Sequence, residues 1–510
     1  MTVIVDFVLM AAAIASALRW LRVVQREHYL AGSTTRFALR WWASDAMNLV
    51  LVAVLGISLG ACFWSRYGGF AVSIIVLVGP YGLDLKGSTS SLAWTQRLKR
   101  LAGISAAIYV LVGLILLLVI GGTVGTALFA LLAVVVPVLI DGACVVATPI
   151  EARLTQPFIE QAAARLSALS PRVVAITGSY GKTSTKNHLA HVVSGSLTVV
   201  PSPRSFNNRA GLARAVNEHL VEGTQVFIAE MGTYGPGEIA ELCSWCPPDI
   251  AVMTAIGPVH LERFGSLDIT VAAKAEITER ASTVVLNVDD GRLVNLVSSL
   301  EAQGKRVIQA SATKRDATVA LIADGERHEL IVEGTSYGLV VIPEGLQVTN
   351  VACAVGASLA LGLPLEVIVN RIASLPAVQN RLTVAVAPSG VRVIDDTFNA
   401  NPAGARAALA LLEAQAVSGR KIVVTPGMIE LGPAQREENE TFGARCAEVA
   451  DIVVIVRRTN RSALKRGAER AGGCELRFED TRDEAVGWVR QHLGPGDCVL
   501  YENDLPDNYP

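Results

Sequence analysis

The sequence is poor in charge, has no surplus of either sign and carries no cysteine framework. Charged residues are 18% of 510, and the formal net charge is -2. Without a basic domain nothing is present to neutralise a phosphate backbone, which sets nucleic-acid binding aside. The eight cysteines include one close pair, Cys243-Ser-Trp-Cys246, and no second CxxC that would complete a zinc ribbon. Beside Pro247-Pro248 that pair reads as a helix end rather than a metal or redox site, and scattered thiols fit a reducing compartment. Charge is missing above all before about residue 150; beyond it, charge returns to ordinary globular frequency. At about 150 residues per domain the length allows three or so domains.

What fills the charge-poor segment is apolar. Five stretches stand out, at about 2–21, 45–64, 68–83, 103–120 and 123–147. A bilayer core about 30 Å thick needs about 20 apolar residues as helix, so four are long enough. The third is shorter and interrupted by Gly79-Pro80, and the run from Ile104 to Ile140 folds into two at Gly121-Gly122. Arg19, Arg22, Arg26, Arg36 and Arg40 lie between the first two stretches, and Lys86, Arg97, Lys99 and Arg100 between the third and fourth. Ser65-Arg66-Tyr67 and Gly121-Gly122 hold one Arg between them. The positive-inside rule then predicts a multi-pass cell-membrane domain, N-terminus outside, with everything after residue 150 cytoplasmic. No basic region precedes the first stretch, so a cleaved signal peptide is not expected. One span would suffice as an anchor; five suggest a further role in binding a partner or a lipid substrate. Residues 151–170 show apolar side chains at helical spacing and read as an amphipathic connector to Pro171.

The first chemical motif follows. Val173–Ile176 reads as a buried strand, then come Gly178, Ser179, Tyr180, Gly181, Lys182, Thr183 and Ser184, then a helical pattern. Strand, glycine loop and helix together make a phosphate site. Main-chain N–H groups face the anion, Lys182 offsets its charge and the Thr183 hydroxyl can reach Mg²⁺. A glycine turn with a solvated lysine is the plainer alternative. Further strands are read at Gln225–Ala229, ending in Glu230-Met-Gly, and at Ile250–Thr254, leading to Gly257-Pro-Val-His260-Leu-Glu262. A carboxylate at a parallel strand's C-terminal end sits on the ligand-binding edge. His260 by itself would more often be an ordinary loop histidine, and Lys274 an ordinary helix-surface lysine.

Thr177-Gly-Ser-Tyr-Gly-Lys-Thr-Ser-Thr-Lys186 resembles the nucleotide loop of the Mur ligases, nearest the D-alanyl-D-alanine-adding (MurF) type, and the resemblance runs from about 171 to 456. It implies that Glu230 and Thr183 hold Mg²⁺. It makes His260 a second-metal ligand, and Lys274, in Phe264-Gly-Ser…Ala-Lys274-Ala-Glu-Ile, a residue that is carbamylated to support that second ion. Such a role needs a deprotonated amine, which burial favours. Asn287, in Asn287-Val-Asp-Asp290, falls on the adenine side, and Asn207 and Asn208 near the reaction centre. Arg381 opens the C-terminal domain. Asp395-Asp396-Thr-Phe-Asn399-Ala-Asn401-Pro402 resembles a family segment in which the aspartates contact nucleotide and the asparagines shape the domain interface.

The implied fold is an α-helical membrane domain (1–150), the connector (151–170), a P-loop central α/β domain (171–376) and a Rossmann-like C-terminal domain (377–510). The implied activity is ATP-dependent amide-bond formation through an acyl phosphate, with ATP and two Mg²⁺ ions, Lys182, Lys274, His260 and Arg381 being the catalytic set. The partners are a small-molecule or lipid-linked cell-wall peptide precursor and an amino acid or dipeptide. Two departures stand out. Membrane spans replace the family's UDP-binding domain, and the chain ends Tyr501-Glu-Asn-Asp-Leu-Pro-Asp-Asn-Tyr-Pro510 where that type has a KGSR-like segment. Acidic residues there suggest an amine or cationic acceptor. A Mur-type ligase making another amide, such as poly-γ-glutamate, is the alternative, and a membrane ATPase or scaffold a more distant one.

Overall fold

A computed structural model describes residues 2–43, 46–83, 92–203, 206–259, 261–343, 345–376, 383–397 and 401–504. They fall into two compact units, residues 2–155 and 156–504.

The first unit is all helix: α1 (Thr2–Arg26), α2 (Ser33–Trp42), α3 (Ala46–Trp64), α4 (Gly68–Val78), α5 (Gln96–Leu114), α6 (Gly122–Val134) and the start of α7 (Val136–Leu169). A π-helical turn, Ile115–Ile120, prolongs α5. Among the described residues three helices are long and apolar enough to cross a membrane: Ile4–Arg26, Ala46–Trp64 and Gln96–Ile120. The pair α6–α7, bent by 70°, makes a fourth if counted as one span. At 1.5 Å per residue the 11-residue α4 falls short of a crossing. The expected break between a span ending at 147 and a separate connector is absent, since α7 runs unbroken from Val136 to Leu169.

Polar contacts in this unit gather at one end. Asp141 accepts from the N–H groups of Thr34 (3.2 Å) and Thr35 (2.7 Å) and so meets the orphan donors at the start of α2. Asn48 accepts from Tyr81 N at 2.7 Å, and Gln25 exchanges two bonds with the Ala93 main chain. Arg100 grips Glu151 with both branches, at 2.6 and 2.8 Å. Arg97 stacks 4.2 Å over Tyr29. Residues 25–43, 48, 79–83, 92–100 and 141–151 therefore share an end. Elsewhere large apolar side chains such as Ile57, Trp64, Leu118 and Val119 are strongly exposed.

The second unit holds two sheets. Strands β1 (Arg172–Thr177), β2 (Val199–Pro201), β3 (Val226–Glu230), β4 (Ile250–Met253), β5 (Thr283–Asn287), β6 (Arg306–Ser311), β7 (Val319–Asp324), β8 (Arg327–Val332) and β9 (Thr335–Val340) form the first. Their order is β2-β3-β1-β4-β5-β6-β7-β8-β9. The strands from β2 to β7 are parallel, and β8 and β9 extend the sheet antiparallel. Both faces are covered, which is why β1 and β3 read as unbroken apolar runs. Alternate residues feed opposite cores, Val173 and Ala175 on one side and Val174 and Ile176 on the other. The second sheet comprises β10 (Thr383–Val386), β11 (Arg392–Asp396), β12 (Lys421–Thr425), β13 (Ile452–Val456), β14 (Glu475–Glu479) and β15 (Cys498–Glu502), ordered β10-β11-β15-β12-β13-β14. Only β10 runs antiparallel. Cys243 lies in the helix Glu238–Trp245 and Cys246 follows as its C-cap, both buried in the first core.

Candidate functional site

The order of the first sheet reverses between β1 and β4, because the chain leaves β1 toward β2 and β3 and leaves β4 toward β5. Loops diverging from such a switch point leave a crevice for ligands. Gly178–Gly181 fills its β1 side, and Tyr180 bridges to Ala255 beyond β4. Gly178 has φ 153° and Gly181 φ 82°, both costly for a residue with a side chain. A Cβ on Gly178 would collide with Thr254 Oγ1, and one on Gly181 with Asn350 Oδ1. Thr254 braces the loop by donating to Thr177 O and Tyr180 O. The helix α8 (Lys182–Val193) starts at Gly181 with no side-chain cap, so its first-turn N–H groups offer an anion site. Lys182 folds back to donate to Gly178 O at 2.7 Å and Ser179 O at 3.3 Å. Ser184 is buried in the same first turn.

Facing the loop, Glu230 ends β3 with 3% exposure. Its Oε2 accepts from Thr183 Oγ1 at 3.0 Å and from Lys186 Nζ at 2.9 Å, and its Oε1 accepts from Asn207 Nδ2 at 3.1 Å. Its main-chain N–H donates to Ser202 Oγ at 3.1 Å. Burial works to raise the Glu230 carboxyl, but Lys186, Lys182 and Asn207 outweigh it and hold it below the ordinary carboxylate value. Lys186 and Ser202 were not singled out from the sequence. Lys186 could have been, since it lies one turn beyond Lys182 on the same helix face.

Lys274 lies on the helix Leu267–Ala275, 3% exposed, with Nζ 5.9 Å from the centre of the Phe264 ring. Burial, with the Lys182 charge nearby, lowers its pKa well below the ordinary lysine value. His260, Arg381 and Asn399 lie outside the described residues. The two adjacent asparagines part company. Asn207 reaches Glu230, whereas Asn208 caps the helix α9 (Arg209–His219) by accepting from Gly211 N at 2.9 Å. Asn287, 5% exposed, accepts from Asp289 N at 3.0 Å and so shapes its own turn. Asp290 accepts from Ile256 N at 2.7 Å, tying that turn to the loop after β4.

In the second sheet Asp396 pairs in register with Glu502 of β15, and both are buried. Asn401 caps the helix Pro402–Ala414 by accepting from Gly404 N at 2.9 Å. Leu261 N donates to Glu430 O at 3.1 Å, linking the loop after β4 to the segment that follows β12. Of the acidic C-terminal residues, Glu502 and Asp504 are described, and Asp507 lies outside the described residues. Glu502 is fully buried and accepts from Thr425 Oγ1 at 3.0 Å, and Asp504 pairs with Arg482 at 2.6 Å. Among the described residues no three His, Cys, Asp or Glu side chains converge as a metal site.

Both family models that match fall in this second unit. One, the Mur ligase middle domain, matches residues 176–357, and the other, described as Mur ligase, glutamate ligase domain, matches residues 380–501. The UDP-N-acetylmuramoyl-tripeptide–D-alanyl-D-alanine ligase of Mycobacterium leprae (strain TN) is 32% identical over 372 residues, covering 66% of this chain and 72% of its own. Among solved structures, MurF from Acinetobacter baumannii superposes with a TM-score of 0.59 at 25% identity, covering 68% of this chain and 76% of that one. MurF from Thermotoga maritima, in complex with ADP, gives 0.58 at 25% identity over 69% and 80%. With the phosphate loop and its buried carboxylate already in place, these matches establish that the chain belongs to the Mur ligase family of ATP-dependent ligases.

Proposed function

We propose that the chain joins a carboxylate of a muramoyl-peptide precursor to the amine of D-alanyl-D-alanine or a closely related dipeptide, through an acyl phosphate. The substrates come from the name of the 32%-identical relative. The observation that carries the reading is the buried assembly of Thr183, Lys186 and Asn207 on Glu230, with the Lys182 charge acting on both Glu230 and the buried Lys274. A carboxylate oxygen of the precursor attacks the γ-phosphorus of ATP, the bond to the ADP oxygen breaks, and a mixed anhydride forms. The dipeptide nitrogen then attacks the acyl carbon, loses a proton and expels inorganic phosphate. Little covalent work falls to the protein, so positioning and charge dominate. Lys182 swings from its loop carbonyls to the phosphates, and Arg381 and His260 take the roles the family resemblance gives them. Asn287 and Asp396 belong to the nucleotide side.

The residues fit one Mg²⁺. Glu230 and the Thr183 hydroxyl, 3.0 Å apart, are hard oxygen donors beside the phosphate loop, and Mg²⁺ is held by one or two carboxylates plus substrate phosphates. When bound it offsets charge on the transferring phosphoryl group. A second ion requires an anionic group where Lys274 lies. Its buried, readily deprotonated amine suits carbamylation, by which the nitrogen adds to CO₂ and loses a proton.

The first unit is read as a multi-pass membrane domain, with residues 171–376 and 377–510 as the central and C-terminal catalytic domains. Three spanning-length apolar helices, exposed apolar side chains and the placing of Arg97 on Tyr29 and Arg100 on Glu151 at one end support that reading. By the positive-inside rule this end and the catalytic unit are cytoplasmic and the N-terminus outside. A membrane domain in place of a UDP-binding one favours a lipid-linked precursor. Assays of the purified protein in detergent, with UDP-linked and lipid-linked muramoyl peptides side by side, test this. Preference for the lipid-linked form is expected, and turnover of the UDP-linked form alone would sink the lipid reading.

A further inference from the structure

We propose that Lys186 is a positioning residue that prevents Glu230 from holding a divalent cation until nucleotide is bound, so that the ion enters with the nucleotide phosphates. The inference rests on the reading of Glu230 as the metal ligand. An ionised carboxylate offers about four lone-pair sites, two on each oxygen. On Glu230 three are taken. Thr183 and Lys186 fill Oε2, and Asn207 takes one site on Oε1. A cation could reach Glu230 only through the one site left on Oε1, because Oε2, the oxygen beside the Thr183 hydroxyl, is fully taken.

Charge acts in the same direction. Lys186 and Glu230 form an ion pair whose side chains are 3% and 4% exposed, so solvent screens it little. Breaking it from one side would leave a buried charge without a partner, which is strongly unfavourable. Lys182 also acts on Glu230, so the carboxylate faces two lysines before any ligand arrives. The empty loop therefore draws phosphate rather than a metal ion. The two lysines divide the work. Lys182 rests on main-chain carbonyls it can leave at small cost, whereas Lys186 is committed to the carboxylate. Once phosphates are in the loop, Thr183 can turn its hydroxyl hydrogen away from Oε2 and present a lone pair, and phosphate oxygens complete the shell.

The test is Mn²⁺ binding to the full-length protein in detergent, followed by electron paramagnetic resonance with and without ADP. Wild type is expected to bind Mn²⁺ at least tenfold more tightly with ADP than without. Lys186→Gln, melting as a folded protein, is expected to bind Mn²⁺ without ADP at least tenfold more tightly than wild type, and Lys186→Arg to behave as wild type. A Lys186→Gln protein that folds and gains no affinity overturns the proposal. So does a wild type that binds equally well without nucleotide, a comparison that stands even if the variant fails to fold. Glu230→Gln separates the two readings. If it binds Mn²⁺ with ADP as wild type does, the metal role of Glu230 fails, and the proposal with it.

Discussion

Two buried carboxylates show how the same functional group is put to different uses by its neighbours. Glu230 is surrounded by donors and stays ionised, whereas Glu502 meets one hydroxyl and the Asp396 carboxylate. Burial and then Asp396 push Glu502 from 4.5 up to about 8, against the Thr425 hydrogen bond. The unfolded chain loses this proton near pH 4.5 and the folded one near 8. Stability is therefore fully present below the lower value and falls as pH rises through that window. Glu502→Gln should flatten the fall and leave the protein more stable than wild type at pH 8, by on the order of 2 kcal/mol. Melting at pH 5 and pH 8 checks this; an unchanged pH dependence would refute it. Lys274 is the second buried titrating group. A carbamate carbon should appear on Lys274 in ¹³C-bicarbonate, detectable by NMR, and be missing in Lys274→Ala. Some of this was legible in the sequence. Glu230 announced itself by ending an apolar strand, and Lys182 by its glycines. Lys186 was legible too, one turn beyond Lys182 on α8, whereas the parting of Asn207 from Asn208 was not, because it depends on where a loop aims a side chain. Nor was the burial of Glu502, since a sequence shows charge and not its surroundings.

At the scale of elements, the parallel strands were readable because burial on both faces demands unbroken Val, Ile and Ala, as in Val173–Ile176 and Ile452–Val456. The antiparallel extension β7 to β9 was missed, although its turns carried a signal. Glu333 and Gly334, with φ 48° and 77°, make a two-residue hairpin turn of the kind that Gly favours. The strands around it are largely exposed or half-buried, β9 along nearly its whole length, which gave no apolar run to notice. The phosphate loop is the element with least tolerance. Gly181→Ala places a methyl group against Asn350 in a left-handed backbone, and should cost ~2 kcal/mol of stability or more and abolish ADP binding. Calorimetric titration with ADP checks it; near-normal affinity would mean that the loop does not hold phosphate.

For the whole molecule, hydropathy located the helical unit and four stretches of spanning length, matched by three helices and one bent pair. α4 is too short, and α6 with α7 forms one bent pair. The third stretch falls short because its helix ends at Val78, just before the expected interruption at Gly79-Pro80. The polar contacts bring Gln25 and Asn48 to the same end as Tyr81 and Ala93, as a chain that returns through α4 requires. Single cysteines at Tyr67 and Trp94, both about half exposed, test the sidedness. An impermeant thiol reagent on intact cells should label the first and spare the second; the reverse pattern would invert the topology.

The central claim is that both units serve an amide-forming ligase. Phosphate release from ATP and Mg²⁺ by the purified protein, with the precursor and the dipeptide supplied singly and together, tests it most directly. Turnover that needs both substrates and is lost in Lys182→Ala and Lys274→Ala is the predicted result. Steady hydrolysis with ATP alone that survives Lys274→Ala would contradict it and point to an ATP-driven membrane machine.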